Sequence, residues 1–166
     1  MLVAVRRLAE TDAEAWRALR LEGLERHPPA FGADREKEAA EPLTFFSERI
    51  ARTAVWGAFV DDALVGTVGF YVLPNRKESH KGMLWGMYVR ESARGQGVAQ
   101  ALIEALLHHA DRVVEVVQLV VGCDNHSARR LYERMGFHVY GLERRALKIE
   151  DRYYDEELRA RYQARD

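Results

Sequence analysis

The sequence predicts a single mixed α/β domain, and three observations lead to this class. The chain has 166 residues, 48% of them apolar, which is enough for one hydrophobic core. Short β-branched runs alternate with segments whose apolar residues recur at helical spacing. No internal repeat, low-complexity tract or linker divides the sequence. We therefore expect residues 1–166 to form one domain.

The first quarter of the chain predicts a strand followed by two helices. Residues 2–8 are β-branched enough for a strand, and the pair Thr11-Asp12 is an N-cap signal for a helix. The apolar residues of that helix are Ala15, Trp16, Leu19 and Leu24. The prolines that follow His27 end it. Residues 28–42 are polar and acid-rich, and a short amphipathic helix carries Leu43, Phe46 and Ile50.

The middle of the chain predicts three strands and a helix. Residues 54–60 and 64–73 are strand-like and are separated by the turn pair Asp61-Asp62, so a hairpin is expected. Residues 83–89 form the next strand, and the polar residues before it include His80, which we interpret as a solvated loop residue. The helix that follows has Val98, Leu102, Ile103, Leu106, Leu107 and Ala110 as its apolar face.

The last third predicts a strand, a helix, a further strand and an ambiguous tail. Residues 115–121 are almost continuously apolar, which is typical of a strand covered on both faces. Asp124 and Asn125 are good caps for a helix that Gly136 closes, and Phe137 begins a strand. In the tail, residues 156–162 have helix-forming side chains, whereas Tyr153-Tyr154 prefers a strand.

The segment that organises the chain is a glycine loop, residues 94–97, between a strand and a helix. Gly95 and Gly97 allow positive φ angles, which turn successive backbone amides into one concavity, and the helix N-terminus adds a positive dipole. Arg94 adds charge, so the loop suits a phosphate or pyrophosphate. No Lys-Ser or Lys-Thr pair follows, which excludes a P-loop, and Gln100 stands where a dinucleotide fingerprint needs its third glycine.

Two motifs together carry a resemblance to a known family. The first is Arg94-x-x-Gly97-x-Ala99 after a strand ending in Tyr88-Val89, and the second is NHSARRLYERMGF, residues 125–137. At this spacing they resemble the GNAT N-acetyltransferase superfamily over about residues 83–140. The resemblance implies the GNAT acyl-CoA N-acyltransferase fold: a mixed, mostly antiparallel central sheet of about seven strands, flanked by about four helices. It also implies that the tail is a last strand.

The resemblance further implies acetyl-CoA as co-substrate and a set of residues that bind it. These residues are Met87, Tyr88, Val89, Arg94, Gly95, Gln96, Gly97, Val98, Ala99, Asn125, Ala128 and Tyr132. A backbone amide among residues 87–89 would stabilise the developing oxyanion, and Tyr132 matches the family's general acid toward the leaving thiolate. Asn125 would meet the pantetheine arm. The simpler interpretations are that Tyr132 is a core tyrosine and Asn125 a helix cap.

The residue that removes the amine proton is not apparent from the sequence. The strand at residues 84–89 has no Asp or Glu where some relatives place a base. Glu38, Glu41 and His80 are candidates, and water is the alternative. In a fold of this family residues 28–42 roof the acceptor site, so Phe31, Glu38 and Glu41 are also candidates for selecting a cationic amine, although a solvated loop is the simpler interpretation.

Composition restricts the remaining classes of function. A net charge of −1 and a sequence pI near 6.6 give no broad field for nucleic acid or an anionic membrane. No apolar stretch approaches a membrane span, and Cys123 is the single cysteine, so no intramolecular disulfide forms and we expect a cytoplasmic protein. No Cys/His group has zinc spacing, so no metal is expected. Cys123 is interpreted as a buried small residue rather than a nucleophile.

The expected function is therefore acetyl transfer from acetyl-CoA to a primary amine of a small molecule. A protein N-terminal or lysine acetyltransferase is the nearest alternative, and a non-catalytic acyl-CoA sensor is a more distant one. Family members are often homodimers, and Tyr153, Tyr154 and Tyr162 are the residues expected to pack on a partner.

Overall fold

The computed structural model describes residues 2–164, which contain seven strands and five α-helices. The strands are β1 (Ala4–Arg7), β2 (Ala54–Val60), β3 (Ala63–Val72), β4 (Lys81–Val89), β5 (Val116–Gly122), β6 (His138–Ile149) and β7 (Arg152–Tyr162). The helices are α1 (Ala13–Arg26), α2 (Arg35–Ala39), α3 (Leu43–Arg52), α4 (Val98–Ala110) and α5 (His126–Arg134). The expected number of strands is confirmed, and the helix beyond the expected four is α2, which has only five residues.

All seven strands form one sheet in the order β1-β2-β3-β4-β5-β7-β6. Every neighbouring pair is antiparallel except β4 and β5, which are parallel. This confirms the mixed, mostly antiparallel sheet. At the β2–β3 hairpin Asp61 and Asp62 both have positive φ, 48° and 63°, as a tight two-residue turn between twisted strands requires.

Apolar side chains form two clusters, one on each face of the sheet. The larger cluster lies under α4, whose predicted apolar face is confirmed: Val98, Leu102, Ile103, Leu106, Leu107 and Ala110 are all buried. The smaller cluster joins α1 and α3 to the other face through Trp16, Leu19, Phe46 and Ile50. The helices therefore cover both sides of the first strands and leave the carboxyl ends of β4 and β5 for a site.

The strands β4 and β5 separate soon after they pair. Their parallel ladder has three residue pairs, Lys81 with Val116 through Met83 with Gln118. Farther along β4 the register with β3 shifts between the partners of Thr67 and Gly69, and Gly86 there has φ +65°. A glycine in this conformation is typical of a β-bulge, which bends its strand. The backbone of β4 beyond Met83 is thus paired with β3 on one side and left without a ladder toward β5.

The tail is strand β7, so local helix propensity gives the wrong element there and the family resemblance the right one. Residues 152–162 pair with β6 on one side and with β5 on the other. A ladder on both edges satisfies the backbone of the whole segment, and this tertiary pairing outweighs the few tenths of a kcal/mol per residue by which the side chains favour a helix.

Two expectations about burial are wrong. Strand β5 is not covered on both faces: Val117, Leu119 and Val121 are buried, whereas Val120 is 43% exposed. In α1 the buried stripe begins at Ala13, so Ala15 lies off it and is exposed.

Candidate active site

A cleft of about 780 Å³ lies where β4 and β5 diverge. Its walls come from the end of β4, the glycine loop, the start of α4, the end of β5, and α5, with residues 26–31 and 152–155 at its margins. Eleven of the twelve predicted residues line it, namely Met87, Tyr88, Val89, Arg94, Gly95, Gly97, Val98, Ala99, Asn125, Ala128 and Tyr132. Gln96 does not, and its side chain donates to the carbonyl of Ser92 at 3.4 Å.

The glycine loop has the geometry of an anion site. Gly95 and Gly97 have φ angles of +72° and +77°, and a Cβ added to either would meet no heavy atom within 4 Å, so the space beside both is open. The first backbone bond of α4 runs from Ala101 to Gly97, and the amides of residues 95–100 donate to no group within residues 2–164. Free amides in a left-handed turn at a helix N-terminus match phosphate oxygens. The residues present therefore fit a pyrophosphate.

Arg94 is held against the rest of the site instead of extending from the loop. Its Nε donates to the carbonyl of Val89 at 3.0 Å, its Nη2 is 3.0 Å from Nε2 of His27, and its guanidinium lies 5.9 Å from the ring centre of Tyr88. The expected positive charge is present in the cleft, but its donors brace the loop against β4 and α1. Arg26 and Arg134 also line the cleft and add charge that sequence reasoning missed.

The end of β4 is fixed to α1 through a carboxylate. The Tyr88 hydroxyl donates to Glu22 Oε2 at 2.9 Å, and Arg90 Nε donates to the same oxygen at 3.2 Å. Burial, followed by this carboxylate, raises the pKa of Tyr88. Burial opposes ionisation of Glu22, but the bonds from Tyr88 and Arg90 outweigh it and lower the pKa of that carboxyl. The Tyr88 ring also packs against Phe31, with centres 6.4 Å apart.

Asn125 serves as the N-cap of α5, so the simpler interpretation of this residue holds. Its Oδ1 accepts from the backbone amide of Ala128 at 3.3 Å. The side-chain amide nitrogen of Asn125 has no partner within residues 2–164 and remains available as a donor in the cleft. Capping and ligand binding therefore use different atoms of one side chain.

Tyr132 is 5% exposed, and its ring packs edge-on against Phe137 with centres 5.8 Å apart. The hydroxyl has no hydrogen-bond partner among the described residues, although Tyr132 lines the cleft. Burial raises the pKa of the Tyr132 phenol above its ordinary value. The phenol is therefore neutral at physiological pH and is a donor without a protein acceptor.

The three candidate bases lie away from the reacting end of the cleft or are already paired. Glu38 is 6% exposed and receives two bonds from Arg20, at 2.6 and 2.8 Å, and one from Arg49 at 3.4 Å. His80 is exposed, as expected, and precedes β4, whose nine residues at roughly 3.3 Å each put it on the order of 25 Å from the cleft. Glu41 does not line the cleft.

The carboxylates that do line the cleft are Asp124 and Asp155, and neither was predicted. Asp124 is 3.5 Å from Arg152, and Asp155 accepts a backbone bond from Arg145 at 2.8 Å. Asp124 follows β5 and Asp155 lies on β7, so the two are far apart in sequence and no local motif links them. Cys123 precedes Asp124, and its amide donates to the carbonyl of Asp155 at 2.9 Å. It is partly buried, and burial followed by Glu157 raises the pKa of its thiol, consistent with a residue that is not a nucleophile.

Residues 2–164 contain no group of three or more His, Cys, Asp or Glu side chains that could hold a metal. None of the described helices has both the length and the apolar content to cross a bilayer.

The chain belongs to the acetyltransferase (GNAT) family, whose model matches residues 13–137. The ribosomal-protein-serine acetyltransferase of Escherichia coli is 33% identical over 106 residues, covering 62% of this chain and 57% of that protein. The mycothiol acetyltransferase of Brachybacterium faecium is 31% identical over 136 residues, covering 80% of this chain and 39% of that protein. This chain thus corresponds to only part of either relative.

Solved structures confirm the predicted fold class. The yncA protein of Salmonella typhimurium, solved with its cofactor acetyl-CoA, superposes with a TM-score of 0.83, covering 100% of this chain and 96% of that protein. Identity in this comparison is 16%, so the likeness shows the fold alone. The family resemblance drawn from the two motifs is confirmed.

Proposed function

We propose that this protein transfers an acetyl group from acetyl-CoA to the primary amine of a small molecule. One observation carries the proposal: free amides of the glycine loop and the unpartnered hydroxyl of Tyr132 lie on one cleft, beside the open edge of β4. An anion site at one end and a neutral donor at the other suit a ligand with a pyrophosphate and a distant leaving group.

The chain's own groups divide into those that hold the co-substrate and those that act on it. The amides of residues 95–100 would hold the pyrophosphate of the co-substrate. Asn125 and the free edge of β4 would bind its amide-containing arm. When bound, acetyl-CoA supplies an activated thioester. Backbone amides of residues 87–89 would donate to the carbonyl oxygen as it gains charge.

Tyr132 would stabilise the leaving thiolate mainly by donating a hydrogen bond. Ordinary pKa values of about 10 for a phenol and about 8.5 for a thiol make full proton transfer uphill by roughly 1.5 units, near 2 kcal/mol. Burial raises the pKa of Tyr132 further, so complete transfer is harder still unless the thiolate is equally desolvated. With Glu38 paired and His80 distant, Asp124, Asp155 or water would take the proton of the amine.

The nature of the acceptor rests on weaker support than the acetyl transfer. The relative that matches the larger share of this chain is a mycothiol acetyltransferase, and a net charge of −1 offers no field for docking a charged macromolecule. The predicted acidic roof contributes less negative charge to the acceptor site than expected, because Glu38 is paired with Arg20. Within the predicted roof, Pro29, Ala30 and Phe31 line the cleft, whereas Glu38 and Glu41 do not.

A protein acceptor is the second candidate, favoured by the 33% identity to a ribosomal-protein-serine acetyltransferase. The two candidates are separated by measuring acetyl-CoA-dependent thiol release with amino acids, polyamines, aminoglycosides and N-terminal peptides. Turnover of a small amine, with the acetylated product seen by mass spectrometry, supports the proposal. Turnover of peptides alone supports the protein acceptor, and thermal stabilisation by acetyl-CoA with no turnover of any amine supports a sensor.

We also propose that the protein forms a homodimer through the edge of the sheet. Strand β6 is an edge strand, and its side chains Val139, Tyr140 and Leu142 are 51%, 50% and 54% exposed. Of the tail tyrosines, Tyr153 and Tyr162 are exposed, whereas Tyr154 lines the cleft. Light scattering at high protein concentration tests this, and a monomer there would contradict it.

A further inference from the structure

Helix α5 is tied to strand β7 by three charged side chains that the proposed chemistry does not use. Glu157 of β7 bonds an arginine at each carboxylate oxygen: Arg129 of α5 lies 2.8 Å from Oε1, and Arg159 donates to Oε2 at 2.9 Å. Glu157 and Arg159 are only 8% and 5% exposed. We call these three residues the α5 clamp.

Each arginine of the clamp also holds a backbone carbonyl at one end of α5. Arg129 Nη1 donates to the carbonyl of Cys123 at 2.9 Å, just before the helix. Arg159 Nη1 donates to the carbonyl of Phe137 at 3.2 Å, just after it. The amide of Phe137 in turn donates to the backbone carbonyl of Tyr132 at 2.9 Å, and the Phe137 ring packs on the Tyr132 ring. One buried carboxylate thus fixes both ends of the helix that carries Tyr132.

Apolar packing holds α5 through few side chains. Of its nine residues only Tyr132 is buried, and Ala128 and Leu131 are half-buried against the core. A short helix with one buried side chain depends on other ties for its orientation. A buried ion pair by itself often contributes no more to stability than apolar side chains of the same size. The bonds from Arg129 and Arg159 to the two backbone carbonyls are therefore the feature that indicates a role in orienting α5.

We infer that the α5 clamp is a positioning device, which sets the Tyr132 hydroxyl relative to β4 and thereby supports catalysis. Glu157 does not line the cleft, so it would act through Tyr132. The inference about catalysis rests on the proposed acetyl transfer, whereas the inference about helix order does not.

The primary variant is Glu157→Gln, which keeps the shape and removes the charge. Misplacement of a catalytic group by about 1 Å can lower rates on the order of 100-fold, so we expect kcat to fall about 10- to 100-fold. The KM for acetyl-CoA should rise by a smaller factor than kcat falls, because the glycine loop that would hold the pyrophosphate precedes α4, whereas α5 would contact only the arm. Loss through KM alone would overturn the inference.

A double variant distinguishes positioning from a general structural role. If Glu157 acts through Tyr132, then Glu157→Gln should cost little further activity in the Tyr132→Phe background. If the clamp merely stabilises the fold, the two losses should multiply, and that result would contradict the inference. Asp111→Asn is the matched control, since it breaks another ion pair of β7, between Arg161 and Asp111 at 2.6 Å, that leads to α4.

Amide hydrogen exchange tests the clamp without any acceptor amine. In Glu157→Gln the amides of α5 should exchange at least about tenfold faster, while those of α4 stay within about twofold. Unchanged exchange in α5 would refute the clamp even if the enzyme is active, and faster exchange would support it even if no substrate is found. Should Glu157→Gln fail to fold, Arg129→Lys severs the Cys123 bond at a side chain that is 32% exposed.

Discussion

The hydroxyl of Tyr132 is the atom on which the proposed chemistry can be tested most sharply, and Tyr132→Phe removes it alone. A hydrogen bond to a charged group contributes about 1.5–3 kcal/mol. Since about 1.36 kcal/mol corresponds to tenfold in rate, loss of a bond made only to the departing thiolate should lower kcat by about 10- to 150-fold. KM for acetyl-CoA should not change, because the bond strengthens only in the transition state.

The same substitution should hardly affect folding. The hydroxyl has no protein partner within residues 2–164, so its removal should change the free energy of unfolding by less than one hydrogen bond, about 1 kcal/mol. The assay is thiol release at saturating acetyl-CoA, under conditions where the rate does not depend on solvent viscosity, together with thermal unfolding. Tyr162→Phe makes the same chemical change at a side chain that is 66% exposed and is the control. Retention of kcat within about twofold would refute the assignment of Tyr132.

Three further predictions concern other parts of the site and the sheet. Gly97→Ala places a Cβ on a residue with φ +77°, which should destabilise the loop by about 1–2 kcal/mol and weaken acetyl-CoA binding measured by calorimetry. Gly32→Ala is the control, because Gly32 has open space and no positive φ, and it should change neither stability nor binding. Glu38→Gln leaves the buried guanidinium of Arg20 without its carboxylate and should destabilise the fold by about 3–5 kcal/mol in denaturant. An unshifted pH-rate profile of the folded variant would show that Glu38 is not the base. Burial and Glu143 raise the pKa of Glu156, so ionisation of Glu156 destabilises the fold as the pH rises above the pKa that this residue has in the unfolded chain. Glu156→Gln should therefore stabilise the fold by about 0.2–1 kcal/mol at pH 7 and should have no such effect below about pH 4. Thermal unfolding measured across this pH range tests the prediction.

The order of elements could be predicted from the sequence because most of them carry their own signals. The stripe of α4 and the caps of α5 are local patterns, and local patterns survive folding. The tail could not be predicted from its own residues, because its conformation comes from pairing with β5 and β6. It was the family resemblance, and not propensity, that indicated the strand.

Within the site, backbone features could be predicted and side-chain partners could not. Glycine spacing indicates where positive φ angles fall, so Gly95 and Gly97 were found. The bond between Glu38 and Arg20, and that between Glu157 and Arg129, join charges that are far apart in sequence. Such pairs look like solvated charges until the fold brings them together, so the sequence alone does not show that Glu38 is paired with Arg20.

A crystal structure of this protein with acetyl-CoA would test the proposed co-substrate site most directly. We predict that pyrophosphate oxygens accept hydrogen bonds from amides of residues 95–100, and that the acetyl group lies between β4 and β5 with its sulfur beside the Tyr132 hydroxyl. A pyrophosphate bound away from the glycine loop, or a thioester that does not reach Tyr132, would contradict it.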